Sequence, residues 1–576
     1  MENKIALSAG VMLNAYPDSM GGTLADIVAL LGRGEMKGAF DAFYILPSIF
    51  NTDLDRGFSV IDYNLNECYA GQADLDALRR LGIDLKFDLI LNHASVLSPQ
   101  FQDLLKNGEN SRYKDFFINW NKFWAGHGQM TEEGYIQPDA EKIKDMFFRK
   151  PGLPILMVRM PDGSEVPYWN TFYQEVRYRK VDASELVESL GIQYQAASRI
   201  ADQVNAALER GEKPAAMDFG AFQAHKAAVV DHLESRRSYL GQMDLNVASP
   251  LVWEFYDETL HKLADYGAKI IRLDAFAYAP KTPGAKNFLN EPDTWQMLQR
   301  VGGIAGQYGL SILPEIHASY GEKTHEKLCE AGCMTYDFFL PGLILDAFEH
   351  KNFEYLVRWI DDIQQKGMRV VNMLGCHDGI PLLDLKGLLP EERIQAMVET
   401  LKGRGGLVKD LHGAKNMYYQ VNCTYYSALG ESDRKMLMAR ALQLFMPGKP
   451  QVWYLDLFAG QNDLEAVRRG GGAGHKEINR TNLSLEDAVE KLEQPVVRRQ
   501  LELLRLRNSC PAFGWDAKLT VENPAPAQLT LRWEKEGHTA ALNMDLAAER
   551  FAIEVGENGS TEVVFQEGLA ARSAFF

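Results

Sequence analysis

Residues 85–93 read Leu-Lys-Phe-Asp-Leu-Ile-Leu-Asn-His, an apolar run that ends in two polar residues. Its composition is typical of a buried strand, because Leu, Ile and Phe dominate it. Such runs alternate with helical stretches along the chain, at Ile5–Gly10, Phe40–Pro47, Leu85–His93, Ile270–Phe276, Ser311–His317, Thr335–Leu340, Arg369–Asp378 and Gln451–Asp456. They predict an α/β protein with a closed parallel (β/α)8 TIM barrel. An open doubly wound sheet is the alternative, but no Gly-rich phosphate loop follows the first run.

The uneven spacing of these strands predicts insertions and additional domains. The third strand ends at His93 and the fourth begins near Ile270, so a domain is inserted between them. A second long gap lies before the last strand, and an expected β-hairpin around Gly537 indicates a small C-terminal β domain. The predicted division assigns residues 1–93 and 247–510 to the barrel, 94–246 and 379–450 to the insertions, and 511–576 to the β domain.

The first insertion contains an extra insert of about residues 175–240, whose helical stretch from Asp182 to Leu240 has apolar stripes. Ile200, Val204 and Leu208 recur at helical spacing, and Gly211 is expected to end that helix. A helical subdomain that buries these stripes is the preferred interpretation. A homo-oligomer contact and a lid are the alternatives that the sequence leaves open.

Composition excludes several classes of function. The formal charge of −17 disfavours binding to nucleic acid, because an acidic surface repels phosphate backbones. The six cysteines are scattered, so neither a disulfide framework nor a metal site at Cys329 and Cys333 is predicted. No segment approaches the ~18 apolar residues of a membrane span, and Ile5–Ala15 reads as a buried strand rather than a signal peptide. We therefore expect a cytoplasmic protein without membrane contact.

Polar residues recur at the carboxyl ends of four predicted strands. In a barrel these ends converge on one pocket. The residues are Asn92, His93, Arg272, Asp274, Glu315, His317, His377 and Asp378. Taken singly, each acid could cap a helix and each histidine could be a core residue. Their coincidence at one level of four strands favours a site instead.

Facing carboxylates suit the chemistry of glycosidic bonds. One carboxylate attacks the anomeric carbon and another protonates the leaving oxygen, and retention of configuration requires a separation of about 5–5.5 Å. Arg272 precedes Asp274 by two residues on the same strand face, and we expect it to keep that carboxylate ionised.

The motifs resemble those of the sucrose phosphorylase group of the α-amylase superfamily. The strand-end motifs around Asp274, Glu315 and Asp378 are similar to conserved regions of the superfamily. Segments that resemble the group itself span about residues 5–510, and they are Asp55–Asp62, Arg149–Pro154, Gln420–Leu429, Pro450–Tyr454 and His475–Arg480.

The resemblance implies catalytic and sugar-binding roles for individual residues. Asp274 matches the nucleophile, Glu315 the acid/base, and Asp378 the carboxylate that stabilises the transition state. The residues that match groups around the donor glucose are Asp55, Phe58, His93, Arg272, His317, His377 and Arg480. The implied donor pocket is blind and holds a single glucose.

The resemblance also implies an acceptor side, where this chain departs from sucrose phosphorylase proper. Tyr419 and Gln420 match a mobile loop, and Arg149 and Lys150 lie in a matching basic segment, although a solvated surface pair is their simpler interpretation. The loop carries Met417-Tyr418-Tyr419 where that enzyme has Asp-Leu-Tyr, so the carboxylate that holds fructose is missing. His412 adds a further candidate for acceptor or phosphate binding. We therefore favour an anionic acceptor, fructose 6-phosphate or glycerate, over free fructose.

The sequence thus predicts a retaining phosphorylase that needs neither cofactor nor metal. Its small-molecule partners are a sucrose-like α-glucoside and inorganic phosphate, and its product is α-glucose 1-phosphate. The alternatives are sucrose phosphorylase proper, a hydrolase or transglucosidase on the same fold, and a non-catalytic sugar-binding member. The helical segment lies where the family runs almost directly from Trp-x-Thr-Phe into an Asp-Leu-Asn motif.

Overall fold

Eight parallel strands form the central sheet of the computed structural model, which describes residues 7–149, 152–410 and 418–568. In chain order they are β1 (Met12–Ala15), β2 (Ala42–Ile45), β3 (Asp84–Ile90), β4 (Ala268–Asp274), β5 (Ser311–Pro314), β6 (Thr335–Asp337), β7 (Val370–Met373) and β8 (Lys449–Trp453). Hydrogen bonding joins them in the order β5-β4-β3-β2-β1-β8-β7-β6. The sheet curves into a nearly closed barrel, and the prediction of a TIM barrel is confirmed.

The helices are amphipathic and bury one face. In Glu354–Gln365, for example, Leu356, Trp359, Ile360 and Ile363 are buried at the spacing that places them on one side. The α-helices occupy Leu24–Leu31, Gln72–Arg80, Pro99–Asn107, Trp120–Phe123, Ala140–Ile143, Ala183–Leu190, Tyr194–Glu209, Lys226–Ser235, Pro250–Asp265, Asp293–Gln307, Thr324–Glu330, Leu340–His350, Glu354–Gln365, Glu391–Gly403, Tyr425–Ala428, Asp433–Phe445, Tyr454–Leu457, Leu464–Arg469, Leu485–Lys491 and Pro495–Ser509.

The first strand lies later in the chain than predicted. We expected it at Ile5–Gly10, but residues 7–10 are outside any strand and β1 begins at Met12. Met12 pairs with Ala42 on one side and with Gln451 on the other. The apolar run continues through both halves, so only these contacts between distant strands decide which half enters the sheet.

Between β3 and β4 the chain forms short antiparallel strands. They are His93–Ser95, Gly128–Met130, Ile136–Pro138, Ile155–Arg159, Glu165–Trp169, Gln174–Arg177 and Ser238–Asp244. The last two pair with each other, and Ser238–Asp244 also pairs with His93–Ser95. The predicted helical stretch from Asp182 to Leu240 begins where the first helix does, at Ala183, but its last residues belong to the strand Ser238–Asp244. This strand pairs with Gln174–Arg177 across a long stretch of chain, which local periodicity does not reveal.

Three helices between these two strands enclose a separate hydrophobic cluster. Ile200 and Val204 are buried there with Val229 and Leu233. The helix at Tyr194–Glu209 ends just before Gly211, whose φ of +77° matches the expected stop. The predicted stripes are thus confirmed as buried faces, and the cluster gives this segment its own apolar core.

The C-terminal region is a five-stranded antiparallel sheet. Its strands are Lys518–Ala525, Gln528–Lys535, His538–Asp545, Arg550–Glu557 and Ser560–Glu567. The second and third form the expected hairpin. Between β7 and β8, short strands at Ile380–Pro381, Leu407–Asp410 and Tyr418–Asn422 form a small sheet, and Phe50–Leu54 pairs with Ser59–Leu65 after β2. The exact domain boundaries stay a prediction.

The cysteines and helices bear on two further expectations. All six cysteines are free thiols, in agreement with the expected absence of a disulfide framework. Among residues 7–149, 152–410 and 418–568, no helix has the length and apolar character needed to cross a membrane.

Candidate active site

The guanidinium group of Arg272 holds carboxylates from three neighbouring strands or strand ends. Its Nη1 lies 2.9 Å from Asp274 Oδ1, and its Nη2 lies 2.7 Å from Glu315 Oε1. Asp88 of β3 also binds this guanidinium, because the parallel register places the two residues opposite each other. The hydroxyl of Tyr44 donates to Asp88 Oδ2 at 2.8 Å. The predicted carboxylates Asp274 and Glu315 are therefore joined by one shared cation.

The charge of Asp274 differs from our expectation. Burial raises the pKa of Asp274 well above its usual value, Arg272 lowers it, and Glu315 and Asp88 raise it further. Arg272 therefore does not hold Asp274 ionised by itself, because one cation serves three carboxylates and burial opposes it. Carboxyl groups that interact this closely titrate as a set, which can present one protonated and one ionised member to a reactant.

Asp378 follows β7 and lies among cationic or potentially cationic side chains. Arg480 Nη2 is 3.6 Å from Asp378 Oδ1, and His377 Nε2 is 3.3 Å from Asp378 Oδ2. Arg480 Nη1 is also 3.6 Å from Asp55 Oδ1. Burial raises the pKa of Asp378, but His377, Lys476 and Arg480 outweigh burial and hold it well below its usual value. This carboxylate therefore stays ionised.

The backbone that carries Asp378 is fixed by side chains from two other segments. Asn422 Nδ2 donates to the carbonyl of Asp378 at 2.7 Å. Arg480 Nε donates to the carbonyl of His377 at 2.8 Å, and Asn479 donates to the carbonyl before it at 2.8 Å. The segments around residues 422 and 480 therefore help to orient this strand end.

Phe58 links the two sets of predicted residues. Its ring stacks on His377 with centroids 5.0 Å apart and planes 14° from parallel, and Arg272 lies 5.4 Å from the centroid of the same ring. The carbonyl of Phe58 accepts hydrogen bonds of 2.9 Å from His93 and from Gln242. Phe58 is thus in contact with three other predicted site residues, His377, Arg272 and His93.

A strained turn presents Asp55 and the residues after it. Asp55 and Arg56 adopt left-handed conformations with φ of 46° and 50°, which only a well-anchored non-glycine residue sustains. Gly57 follows at φ 120°, where a Cβ atom would lie 2.3 Å from the backbone nitrogen of Ser48. Arg56 anchors the turn by donating to the carbonyl of Arg480 at 2.6 Å.

A row of aromatic rings leads from His93 to Arg149. The rings of His93 and Phe172 are 4.9 Å apart, and Phe172 meets Tyr278 at 5.3 Å. The guanidinium of Arg149 lies 4.8 Å from the centre of Phe172 and donates to the hydroxyl of Tyr278 at 3.2 Å. The predicted basic residue is therefore one ring away from a predicted donor-site residue.

His317 lies beside Glu315 but is held by another acid. Its Nδ1 is 3.0 Å from Asp384 Oδ2, and its Nε2 is 3.8 Å from Glu315 Oε1. It stacks on Phe338 with centroids 4.0 Å apart. Burial lowers the pKa of His317, but Asp384 and then Glu315 more than offset this and raise it.

The structure describes some of the predicted acceptor-side residues and not others. Gln420 is buried in the strand Tyr418–Asn422, two residues before the asparagine that binds the Asp378 carbonyl. Tyr419 is in the same strand, but its side chain is outside the described part. Lys150 and His412 lie outside the described residues, so their predicted roles stay predictions.

Sequence reasoning missed three charged residues that contact predicted ones. They are Asp88, Asp384 and Lys476, which bind Arg272, His317 and Asp378 respectively. Two of them had a signal in the chain, since Asp88 lies within the run 85–93 and Lys476 within the quoted motif 475–480. The third residue, Asp384, lies after the strand-end motif of β7 and belongs to none of the motifs quoted above.

A buried lysine joins the inserted segment to the barrel. Lys281 Nζ lies 2.7 Å from Asp244 Oδ2, 3.0 Å from Asn92 Oδ1 and 2.7 Å from the carbonyl of Tyr278. Both charged side chains are almost fully inaccessible to solvent.

No trio of His, Cys, Asp or Glu side chains in the described ranges is arranged to hold a metal ion.

Known proteins resemble this chain along its length. A protein of Ilumatobacter coccineus named sucrose 6(F)-phosphate phosphorylase is 50% identical over 570 residues, which cover 97% of this chain and 98% of that protein. A sucrose phosphorylase of Streptococcus mutans is 30% identical over 558 residues, which cover 96% and 98%. No protein-family model matches the chain.

A solved structure resembles the chain as well. It is the crystal structure of sucrose 6F-phosphate phosphorylase from Thermoanaerobacter thermosaccharolyticum, with a TM-score of 0.78 and 32% identity. The match covers 97% of this chain and 98% of that chain. The likeness therefore includes the barrel, both regions between strands and the C-terminal sheet.

Proposed function

We propose a reaction for this chain from the premise that it belongs to the sucrose phosphorylase family of the α-amylase superfamily, and is therefore an enzyme of the phosphorylase type. The reaction transfers the glucosyl unit of a sucrose-like α-glucoside to inorganic phosphate and gives α-glucose 1-phosphate. The observation that carries this proposal is the arrangement of Asp274 and Glu315 on one guanidinium. Two carboxyl groups that share one guanidinium are neighbours, as a double displacement with retention requires.

In the proposed first step, Asp274 attacks the anomeric carbon and the bond to the leaving oxygen breaks. Glu315 gives its proton to that oxygen, so the acceptor leaves neutral at this atom and a β-glucosyl ester forms on Asp274. Burial, Glu315 and Asp88 raise the pKa of Asp274, whereas Arg272 lowers it. The proposed step requires a proton on Glu315, beside the leaving oxygen, and an ionised Asp274.

In the proposed second step, phosphate attacks the same carbon from the side that the acceptor left. Glu315 accepts the proton of the attacking phosphate oxygen, the ester to Asp274 breaks, and α-glucose 1-phosphate is released. Asp378, whose pKa is held well below its usual value, supplies negative charge beside the positive charge that develops on the sugar.

We propose that the acceptor is anionic, with fructose 6-phosphate as the first candidate. Arg149 supports this proposal, because its guanidinium lies one aromatic ring from His93 at the mouth of the site. A guanidinium binds phosphate or carboxylate oxygens through paired hydrogen bonds. The names of two similar proteins, which refer to sucrose 6(F)-phosphate, point in the same direction.

The test compares three donors in the presence and absence of phosphate: sucrose, sucrose 6′-phosphate and glucosylglycerate. Glucose 1-phosphate and glucose are quantified separately, with the Asp274→Asn variant as the matched control. We expect glucose 1-phosphate to form fastest from sucrose 6′-phosphate and only when phosphate is present.

Each other outcome identifies a different enzyme. A preference for sucrose would make the chain a sucrose phosphorylase proper, and a preference for glucosylglycerate would exchange the acceptor for glycerate. Free glucose at a rate indifferent to phosphate would contradict phosphorolysis and indicate a hydrolase. Absence of turnover with every donor would contradict the proposed site.

A further inference from the structure

Lys476 bridges two carboxylates of the candidate donor site. It belongs to the helical segment Gly471–Asn479 that ends directly before Arg480. Its Nζ lies 2.6 Å from Asp378 Oδ1 and 3.6 Å from Asp55 Oδ2, and its side chain is 22% exposed. The ammonium group therefore connects the end of β7 to the strained turn after β2.

Lys476 is the nearest cation to Asp378. Arg480 lies 3.6 Å from the same carboxylate and divides its charge among further acids, since its Nη1 is 3.6 Å from Asp55 and 3.7 Å from Glu477. His377 Nε2 lies 3.3 Å from Asp378 Oδ2, and His377 and then Lys476 are the groups that most lower the pKa of Asp378. Between the ammonium of Lys476 and the guanidinium of Arg480, the ammonium is the closer charge to this carboxylate.

Other titratable and charged groups act on this carboxylate or its neighbours. Desolvation by the surrounding barrel penalises the charge of Asp378, and a cation in contact offsets that penalty. The groups that interact with Asp378 or with its partner His377 are Tyr16, Arg272, Asp274, His317, Cys376, His377, Lys476 and Arg480.

We propose that Lys476 is a positioning residue of the donor site, which keeps Asp378 ionised and oriented and links it to Asp55. This inference rests on the proposed function, because it assigns Asp378 a part in glucosyl transfer. In the part of the chain that the structure describes, the ion pairs of Lys476 are with these two carboxylates. Its contribution passes through them, and it does not exchange a proton with the substrate.

The role predicts an effect that depends on pH. Burial raises the pKa of Asp378, and the ammonium group of Lys476 lowers it. Without the ammonium group this pKa is higher, so Asp378 takes up a proton at a higher pH than in the wild type. We expect kcat/KM of Lys476→Met to fall at least about tenfold further at acidic pH than at alkaline pH. Lys476→Arg retains the charge and is expected to restore most of the wild-type profile.

The experiment measures pH profiles of kcat/KM from about pH 5 to about pH 9 for the wild type, Lys476→Met, Lys476→Arg and Lys535→Met. Lys535 pairs with Asp516 at 2.8 Å on the C-terminal sheet and serves as a matched control for loss of a lysine charge. Two donors are used: sucrose 6′-phosphate with phosphate, and α-glucosyl fluoride, whose fluoride release reports transfer to Asp274 without any acceptor.

The two donors separate this inference from the proposed function. If the wild type releases fluoride from α-glucosyl fluoride but does not form glucose 1-phosphate, the phosphorylase reaction is contradicted. The pH profile of fluoride release then still tests the role of Lys476. A loss in Lys476→Met by the same factor at every pH, or no loss, would overturn the inference. If Lys476→Met fails to fold, a wild-type profile for Lys476→Gln would overturn it. A wild type inactive on both donors would overturn both proposals.

Discussion

The proposed donor side and the proposed acceptor side of the site are held together by different interactions. On the donor side, ion pairs join strand ends, as between Arg272 and the two carboxylates of Asp274 and Glu315. On the acceptor side, Arg149 is packed against the rings of Phe172 and Tyr278, which belong to connecting segments. The register of the barrel strands therefore fixes the positions of the ion-paired residues, whereas the position of Arg149 depends on the packing of the long insertions.

The largest expected effect is on the donor side. Asp274→Asn removes the proposed nucleophile, and we expect glucose 1-phosphate formation to fall about 10⁴-fold or more. Initial rates with sucrose 6′-phosphate and phosphate measure the loss, and an unchanged near-ultraviolet circular dichroism spectrum serves as the control for folding. Wild-type rates in this variant would remove Asp274 from the mechanism and, with it, the distinction between the two sides.

The next effect concerns the junction between the sides. Lys281→Met leaves Asp244 as a buried unpaired charge, which costs about 3–5 kcal/mol of unfolding free energy. Chemical denaturation measures this change. The double variant with Asp244→Leu is expected to recover part of it, because no charge is then left unpaired. If Lys281→Met is as stable as the wild type, this ion pair does not stabilise the contact between the insertion and the barrel.

On the acceptor side we expect a smaller effect that depends on the acceptor. Arg149→Gln should raise KM for fructose 6-phosphate in the synthetic direction about ten- to a hundredfold. KM for fructose should change far less. Arg159→Gln, which removes a cation paired with Asp231 elsewhere on the insertion, serves as the control. Equal losses for both acceptors would assign Arg149 to the incoming phosphate instead.

The smallest effect tests whether the helical segment is independent of both sides. Ile200→Val removes one methylene group from its apolar cluster and should cost about 0.5–1.5 kcal/mol of stability. We expect kcat and KM for every donor to stay unchanged. A change in acceptor preference, measured with the same donors, would show that this cluster shapes the acceptor side.

The sequence predicted the donor side better than the acceptor side for a physical reason. Apolar strands with polar ends are local patterns, and parallel pairing brings those ends together, so Asp274, Glu315 and Asp378 could be placed in one pocket. The first strand was misplaced because two adjacent apolar stretches compete, and only pairing with distant strands decides between them.

Contacts between distant segments could not be derived from local patterns. Lys476 is far from Asp378 along the chain, and its distance from that carboxylate depends on how the segment after β8 folds over the barrel. The pairing of residues 174–177 with 238–244 is equally non-local. The charge of Asp274 was misjudged because Arg272 is shared with Asp88 and Glu315, which spacing along one strand does not show.

The most direct test of the account follows the products of sucrose 6′-phosphate and phosphate by proton and phosphorus NMR. We predict that the first glucose 1-phosphate to appear is the α anomer and that fructose 6-phosphate accumulates in equal amount. Initial formation of the β anomer would contradict the double displacement at Asp274. Free glucose in place of glucose 1-phosphate would contradict the phosphorylase reaction itself.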